Sequence, residues 1–95
     1  MELGLKGLKL FITAGASGIG RQIVESFLSE GADVSTCDID NTALADLRTA
    51  HPSVLAHQCD VSNSSAIQAL IKNTADEMGG LDCLVNNAGI AGPTG

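Results

Sequence analysis

The segment Phe11-Ile12-Thr13-Ala14-Gly15-Ala16-Ser17-Gly18-Ile19-Gly20 constrains the fold of this chain more than any other. An apolar run ends in a glycine-rich turn, and the turn opens a helix. That succession brings backbone N–H groups to a helix N-terminus, where they can hold a pyrophosphate. Asp38 follows eighteen positions after Gly20. A dinucleotide-binding unit places a carboxylate at about that distance, to accept hydrogen bonds from the adenosine ribose.

The rest of the chain alternates between strand and helix signals. Leu8 to Thr13 reads as a buried strand. Gly18 to Glu30 reads as a helix with Ile19, Ile23, Val24, Phe27 and Leu28 on one stripe, ended by Gly31. Asp33 to Asp38 is a second strand, with Val34 and Thr36 on one face. Asp40 or Asn41 caps a helix that runs to about Ala50. Val54 to Cys59 is a third strand. Ser62 caps a longer helix carrying Ile67, Leu70, Ile71, Ala75 and Met78, and Gly79-Gly80 stops it. Leu81 to Asn86 is a fourth strand. Such alternation predicts a parallel sheet with helical crossovers. With strand 4 beside strand 1 the order is 3-2-1-4. The first two helices then cover one face and the third covers the other. The glycine turn, Asp38, Asp60 and the Asn87 loop all fall at the carboxyl edge beside the switch point, where ligands bind in such sheets.

Composition excludes several other functions. The net charge of −6 over 95 residues argues against nucleic acid or an anionic membrane as partner. No apolar stretch approaches the roughly 18 residues of a membrane span, and Met1 to Leu10 has no signal-peptide core, so the expected location is cytoplasmic. Cys37, Cys59 and Cys83 form no CxxC and no metal-ligand spacing, and are expected to be buried free thiols. No metal site is expected. His51 and His57 have no partner pattern and read as structural or solvated. The serines from Ser62 to Ser65 have no histidine or acid spaced to activate them.

Three further motifs accompany the turn, each at a predicted strand end: Asp38, Cys59-Asp60-Val61 and Asn86-Asn87-Ala88-Gly89. Together with Thr13 to Gly20 they resemble the N-terminal part of a short-chain dehydrogenase/reductase, and the resemblance covers essentially all 95 residues. It implies an α/β, Rossmann-like three-layer fold: a parallel sheet of about four strands in order 3-2-1-4, truncated after strand 4. Residues 1–95 would then be a partial NAD-binding Rossmann domain. Ala14, Gly15, Ala16, Ser17, Gly18 and Ile19 would wrap the ribose and pyrophosphate, with Gly18 and Gly20 permitting close approach. Asp38 would bind the ribose 2′- and 3′-hydroxyls, with Ile39 beside it. Asp60 and Val61 would contact the adenine edge. Asn87, Ala88 and Gly89 would pass beside the ribose and nicotinamide. The family usually has glycine directly after the motif threonine, where this chain has Ala14. Structural roles compete at two positions: Asp60 as a helix-capping acid, and Asn86 as a tie between neighbouring strand ends.

The implied cofactor is NAD in preference to NADP. A carboxylate at Asp38 repels a 2′-phosphate, neither Ser17 nor Ile39 is basic, and Arg21 sits inside the helix. The family reaction moves a hydride between the nicotinamide and a carbonyl or alcohol carbon, using a tyrosine and a lysine four positions later. This sequence contains no tyrosine, so no catalytic residue is assigned. The expected function is the cofactor-binding portion of an oxidoreductase. The alternatives are a standalone dinucleotide-binding or oligomer-forming module, and one half of a split enzyme. An unpaired fourth strand with Leu81, Cys83, Leu84 and Val85 predicts self-association or a missing C-terminal half at that edge.

Overall fold

A computed structural model describes residues 6–87. Four strands and three helices alternate: β1 (Lys9–Thr13), α1 (Gly18–Ser29), β2 (Asp33–Asp38), α2 (Asn41–Ala50), β3 (Leu55–Gln58), α3 (Ser64–Met78) and β4 (Cys83–Val85). The sheet is parallel with order β3-β2-β1-β4, as the alternation predicts. Central β1 sets the register, pairing Ile12 with Thr36 of β2 on one side and with Val85 of β4 on the other.

One sheet face is closed by α1 and α2. Leu10, Ile12, Val34 and Ala56 point to that face and pack with Val24 of α1 and Leu44 and Leu47 of α2. Ile23, Phe27 and Leu28 extend the α1 stripe against this core. Full burial of a side chain such as Leu10 or Leu47 contributes roughly 1.5–3 kcal/mol. The opposite face carries Phe11, which is fully buried, and a right-handed crossover from β3 to β4 carries α3 to that side. Thr74 alone in α3 is buried, while Ile67, Leu70, Ile71, Ala75 and Met78 are half-buried. Leu84, on the Phe11 side of β4, is 52% exposed, so α3 leaves the β4 flank open.

Element ends depart from the sequence reading where a side chain takes over a backbone role. The N–H of Lys9 donates to Asp82 Oδ2 at 2.8 Å, so β4 begins later than the predicted Leu81. Asn63, not Ser62, caps α3: Asn63 Oδ1 accepts from the Ala66 N–H at 3.1 Å. Ser62 is occupied instead by Asp60. Asp40 caps α2 by accepting from the N–H groups of Thr42 and Ala43. At the end of α1 the Gly31 N–H donates to the Leu28 carbonyl and the Ala32 N–H to that of Phe27. That paired closure returns the chain directly into β2.

Candidate functional site

Each amide of the β1–α1 turn has a distinct task. The Ala14 N–H continues the ladder to the Cys37 carbonyl at 2.8 Å. The Gly15 N–H donates to Thr36 Oγ1 at 3.1 Å, and that hydroxyl donates to the Ile12 carbonyl at 2.6 Å. Thr36 is fully buried, so its hydroxyl needs both partners. The Ala16 N–H donates to Asp38 Oδ2 at 3.1 Å, tying the turn to the end of β2. Ser17 then starts α1 without a side-chain cap, unlike the capped starts of α2 and α3. The first α1 hydrogen bond runs from the Arg21 N–H to the Ser17 carbonyl, so Gly18, Ile19 and Gly20 present amides with no partner inside the helix. Gly18 has φ +60° and open space around its Cβ direction.

Gly20 is required for the opposite reason. A Cβ there would overlap the Ala14 carbonyl oxygen and lie 2.7 Å from Asn87 Nδ2. Asn87 is buried, and its side-chain amide donates to that same carbonyl at 3.2 Å. The Thr13 hydroxyl donates to Asn86 Oδ1 at 3.3 Å, joining the β1 and β4 ends as the structural reading of Asn86 expects. Ala14 itself has φ +57°, a left-handed conformation that crowds an L side chain. Ala14→Gly is therefore expected to raise unfolding stability by roughly 0.5–1 kcal/mol, relief of strain exceeding the greater freedom of the unfolded chain. Urea denaturation of both proteins measures this.

Beside the turn lies a small cavity of about 110 Å3, lined by Ala14, Asp38, Ile39, Cys59, Asp60 and Val61. It adjoins a wider hollow of about 400 Å3 that shares Ile39, Cys59 and Asp60 and reaches Asn63 and Ala66. Asp38 is half-buried at the cavity rim, with its second oxygen accepting from the Asp40 N–H at 3.2 Å. Asp60 Oδ1 accepts from the Ser62 hydroxyl at 2.7 Å and the Ser62 N–H at 2.9 Å. These bonds, the hydroxyl's first, hold the Asp60 carboxyl below its ordinary value, so it is an oriented acceptor. Apolar side chains surround this edge: Ile19 is 68% exposed, Ile39 62% and Val61 37%. Ile19, expected on the buried stripe of α1, instead projects from its first turn into solvent.

Arg21 lies inside α1 and is also tied to the turn. Its Nη1 donates to the Ala16 carbonyl at 3.4 Å and to Asp46 Oδ2 at 3.1 Å, while Nε donates to Glu25 Oε2 at 2.9 Å. His51 Nε2 lies 3.0 Å from the same Glu25 oxygen. The His51 and Arg21 contacts keep the Glu25 carboxyl below its ordinary value. Cys37 is fully buried, and burial pushes its thiol up to about 11. Cys59 and Cys83 are half-buried, against the expectation that all three cysteines lie inside, and all three are free. No group of three or more His, Cys, Asp or Glu side chains that could hold a metal occurs among the described residues. No described helix is long and apolar enough to cross a membrane. Ala88 and Gly89 lie outside the described residues.

Comparison with known proteins places this edge in context. Residues 9–95 match the family described as short chain dehydrogenase. The chain is 36% identical over 95 residues to L-fucose dehydrogenase of Bos taurus, covering 98% of this chain and 35% of that protein. A short chain dehydrogenase from Mycobacterium smegmatis superposes with a TM-score of 0.79 at 39% identity, covering 86% of this chain and 36% of that one. A 3-ketoacyl-(acyl-carrier-protein) reductase from Brucella melitensis, solved in complex with NADH, gives 0.78 at 26% identity, covering 85% and 34%. The chain thus spans about a third of the length of the relatives it matches.

Proposed function

The chain belongs to the short-chain dehydrogenase family, and on that premise we propose that residues 13–89 hold NAD at the carboxyl edge of the sheet. The observation that carries this reading is the Ala16–Asp38 hydrogen bond. It ties the uncapped start of α1 to a carboxylate at the rim of a cavity with apolar walls. A dinucleotide needs those three surfaces at once: amides for phosphates, an anionic acceptor for ribose hydroxyls, and an apolar slot for adenine.

The residues present fit that group. The Gly18, Ile19 and Gly20 amides would receive the pyrophosphate at the positive end of α1. Asp38 would accept from the 2′- and 3′-hydroxyls of the adenosine ribose, which favours NAD over NADP. Ile39 and Val61 would flank the adenine, and Asp60, held ionised by Ser62, would accept from its amino group. Ala14, Gly15 and Ser17 would shape the turn around the ribose and phosphates. Asn87 would brace the turn through Ala14 while passing the cofactor toward Ala88 and Gly89. Held there by the α1 amides and Asp38, the cofactor would supply hydride transfer to or from a carbonyl or alcohol carbon. No donor of the substrate-oxygen proton is assigned among these residues, which include no tyrosine.

The same reading accounts for the open flank of β4. Its outer edge is unpaired among the described residues and Leu84 is exposed, and we assign that surface to a further segment of the fold or to a second copy. The site assignment is tested by following backbone amide resonances during addition of NAD. Shifts concentrated at Ala16 to Gly20, Asp38 to Ile39 and Asp60 to Val61 support it. Shifts concentrated around Asp33, Ser53 and Met78, at the opposite sheet edge, would refute it.

A further inference from the structure

Glu25 of α1 and Asp46 of α2 have no place in the family motifs, yet both hold the one basic side chain that touches the cofactor turn. The chain has five Lys and Arg residues. Arg48 is spent on the Ala56 carbonyl, donating from Nε at 3.2 Å and Nη2 at 2.7 Å. Lys6 and Lys9 lie at the amino end of β1, and Lys72 is exposed on α3. Arg21 alone reaches the turn, at the Ala16 carbonyl. The N–H of that same Ala16 donates to Asp38. A single residue therefore separates the guanidinium from the carboxylate assigned to the ribose. Arg21 is also the natural candidate to neutralise a phosphate there, being a forked donor suited to phosphate oxygens.

We propose that Glu25 and Asp46 make the ribose site selective for a 2′-hydroxyl by pinning Arg21 on the Ala16 carbonyl. This deepens the NAD reading and rests on it. Nε and Nη1 of the guanidinium are engaged by two carboxylates and a carbonyl, which anchors the group on the turn side rather than at the ribose. The trio carries a net charge of about −1 beside Asp38, and a 2′-phosphate entering the pocket meets paired cation and surplus anion. His51, the other group facing Glu25, helps fix the Glu25 oxygen that receives Arg21. Arg21 is thus a specificity-determining residue whose effect depends on its restraint.

The test is calorimetric affinity for NAD and for NADP in the intact chain, in Asp46→Asn, in Glu25→Gln/Asp46→Asn, and in both sets again carrying Arg21→Gln. The quantity read is the ratio of NADP to NAD affinity within each protein, which a lower folded fraction does not move. The Asp46 side chain is 74% exposed, so Asp46→Asn keeps the fold intact. The double variant is expected to raise the ratio roughly tenfold and Asp46→Asn alone about threefold, from charge interactions at a separation of several ångströms. In the Arg21→Gln background the double change is expected to gain at most about threefold. A ratio within about twofold of the unsubstituted chain, with NAD still bound, overturns the proposal and leaves the NAD reading standing. A full tenfold gain without Arg21 also overturns it, because the acids would then act by themselves. Failure of the unsubstituted chain to bind NAD overturns both.

Discussion

Asp38→Ala is expected to weaken NAD binding roughly 30- to 100-fold, the loss of two hydrogen bonds to a charged acceptor. NADP binding should weaken far less, because removing the carboxylate also removes its repulsion of the 2′-phosphate. The gap between the two cofactors should therefore close by about tenfold or more. Asp38 has a structural task as well, since it accepts from the Ala16 and Asp40 N–H groups. Asp38→Asn goes part of the way to separating the two roles: it removes the charge and keeps one of the two acceptor oxygens, so one of those amides retains its partner. If the asparagine variant stays as stable as the parent and still loses preference for NAD, the carboxylate acts on the cofactor. Equal affinities in all three proteins would show that the ribose lies elsewhere.

Gly20→Ala is expected to be the most damaging glycine-to-alanine change among the described residues. The added carbon would collide with the Ala14 carbonyl oxygen, a backbone atom already held by Asn87. Neither can retreat cheaply, because Ala14 is fixed to β2 through its N–H to the Cys37 carbonyl. The cost should be roughly 2–4 kcal/mol of unfolding free energy, with loss of measurable NAD binding in whatever remains folded. Gly18→Ala provides the contrast. It meets open space and bears only the strain of a left-handed residue, about 1 kcal/mol. Thermal unfolding of the two variants should separate them clearly, and equal melting temperatures would show that the turn relaxes around Gly20.

Strand order, the faces covered by the helices and the placement of the turn at the carboxyl edge were legible in the sequence. Those features follow from local periodicity and from the alternation of elements, both of which are written along the chain. What the sequence concealed depends on partners far apart in it. Thr36 lies on the same face as Val34, but its hydroxyl bonds to Ile12 and Gly15 across the sheet. Arg21 takes its acid Asp46 from the next helix, which no helical spacing reveals. Ile19 satisfies the buried stripe of α1 by spacing, yet the first turn of that helix overhangs the sheet edge and leaves it exposed. The sequence points to Ser62 as the cap of α3, but Asp60 engages that residue and Asn63 takes the role. The sequence sets Cys59 and Cys83 in apolar strands, but Cys59 falls just past the end of β3, and β3 and β4 are the two edges of this sheet.

The central claim is that this segment holds a dinucleotide by the uncapped start of α1 and by Asp38. Calorimetric titration of the purified, mass-verified chain, first with NAD and then with NADP, tests it most directly. Saturable binding at one site per chain, tighter for NAD, is the predicted result. A chain shown by circular dichroism to be folded, yet binding neither cofactor, would contradict it.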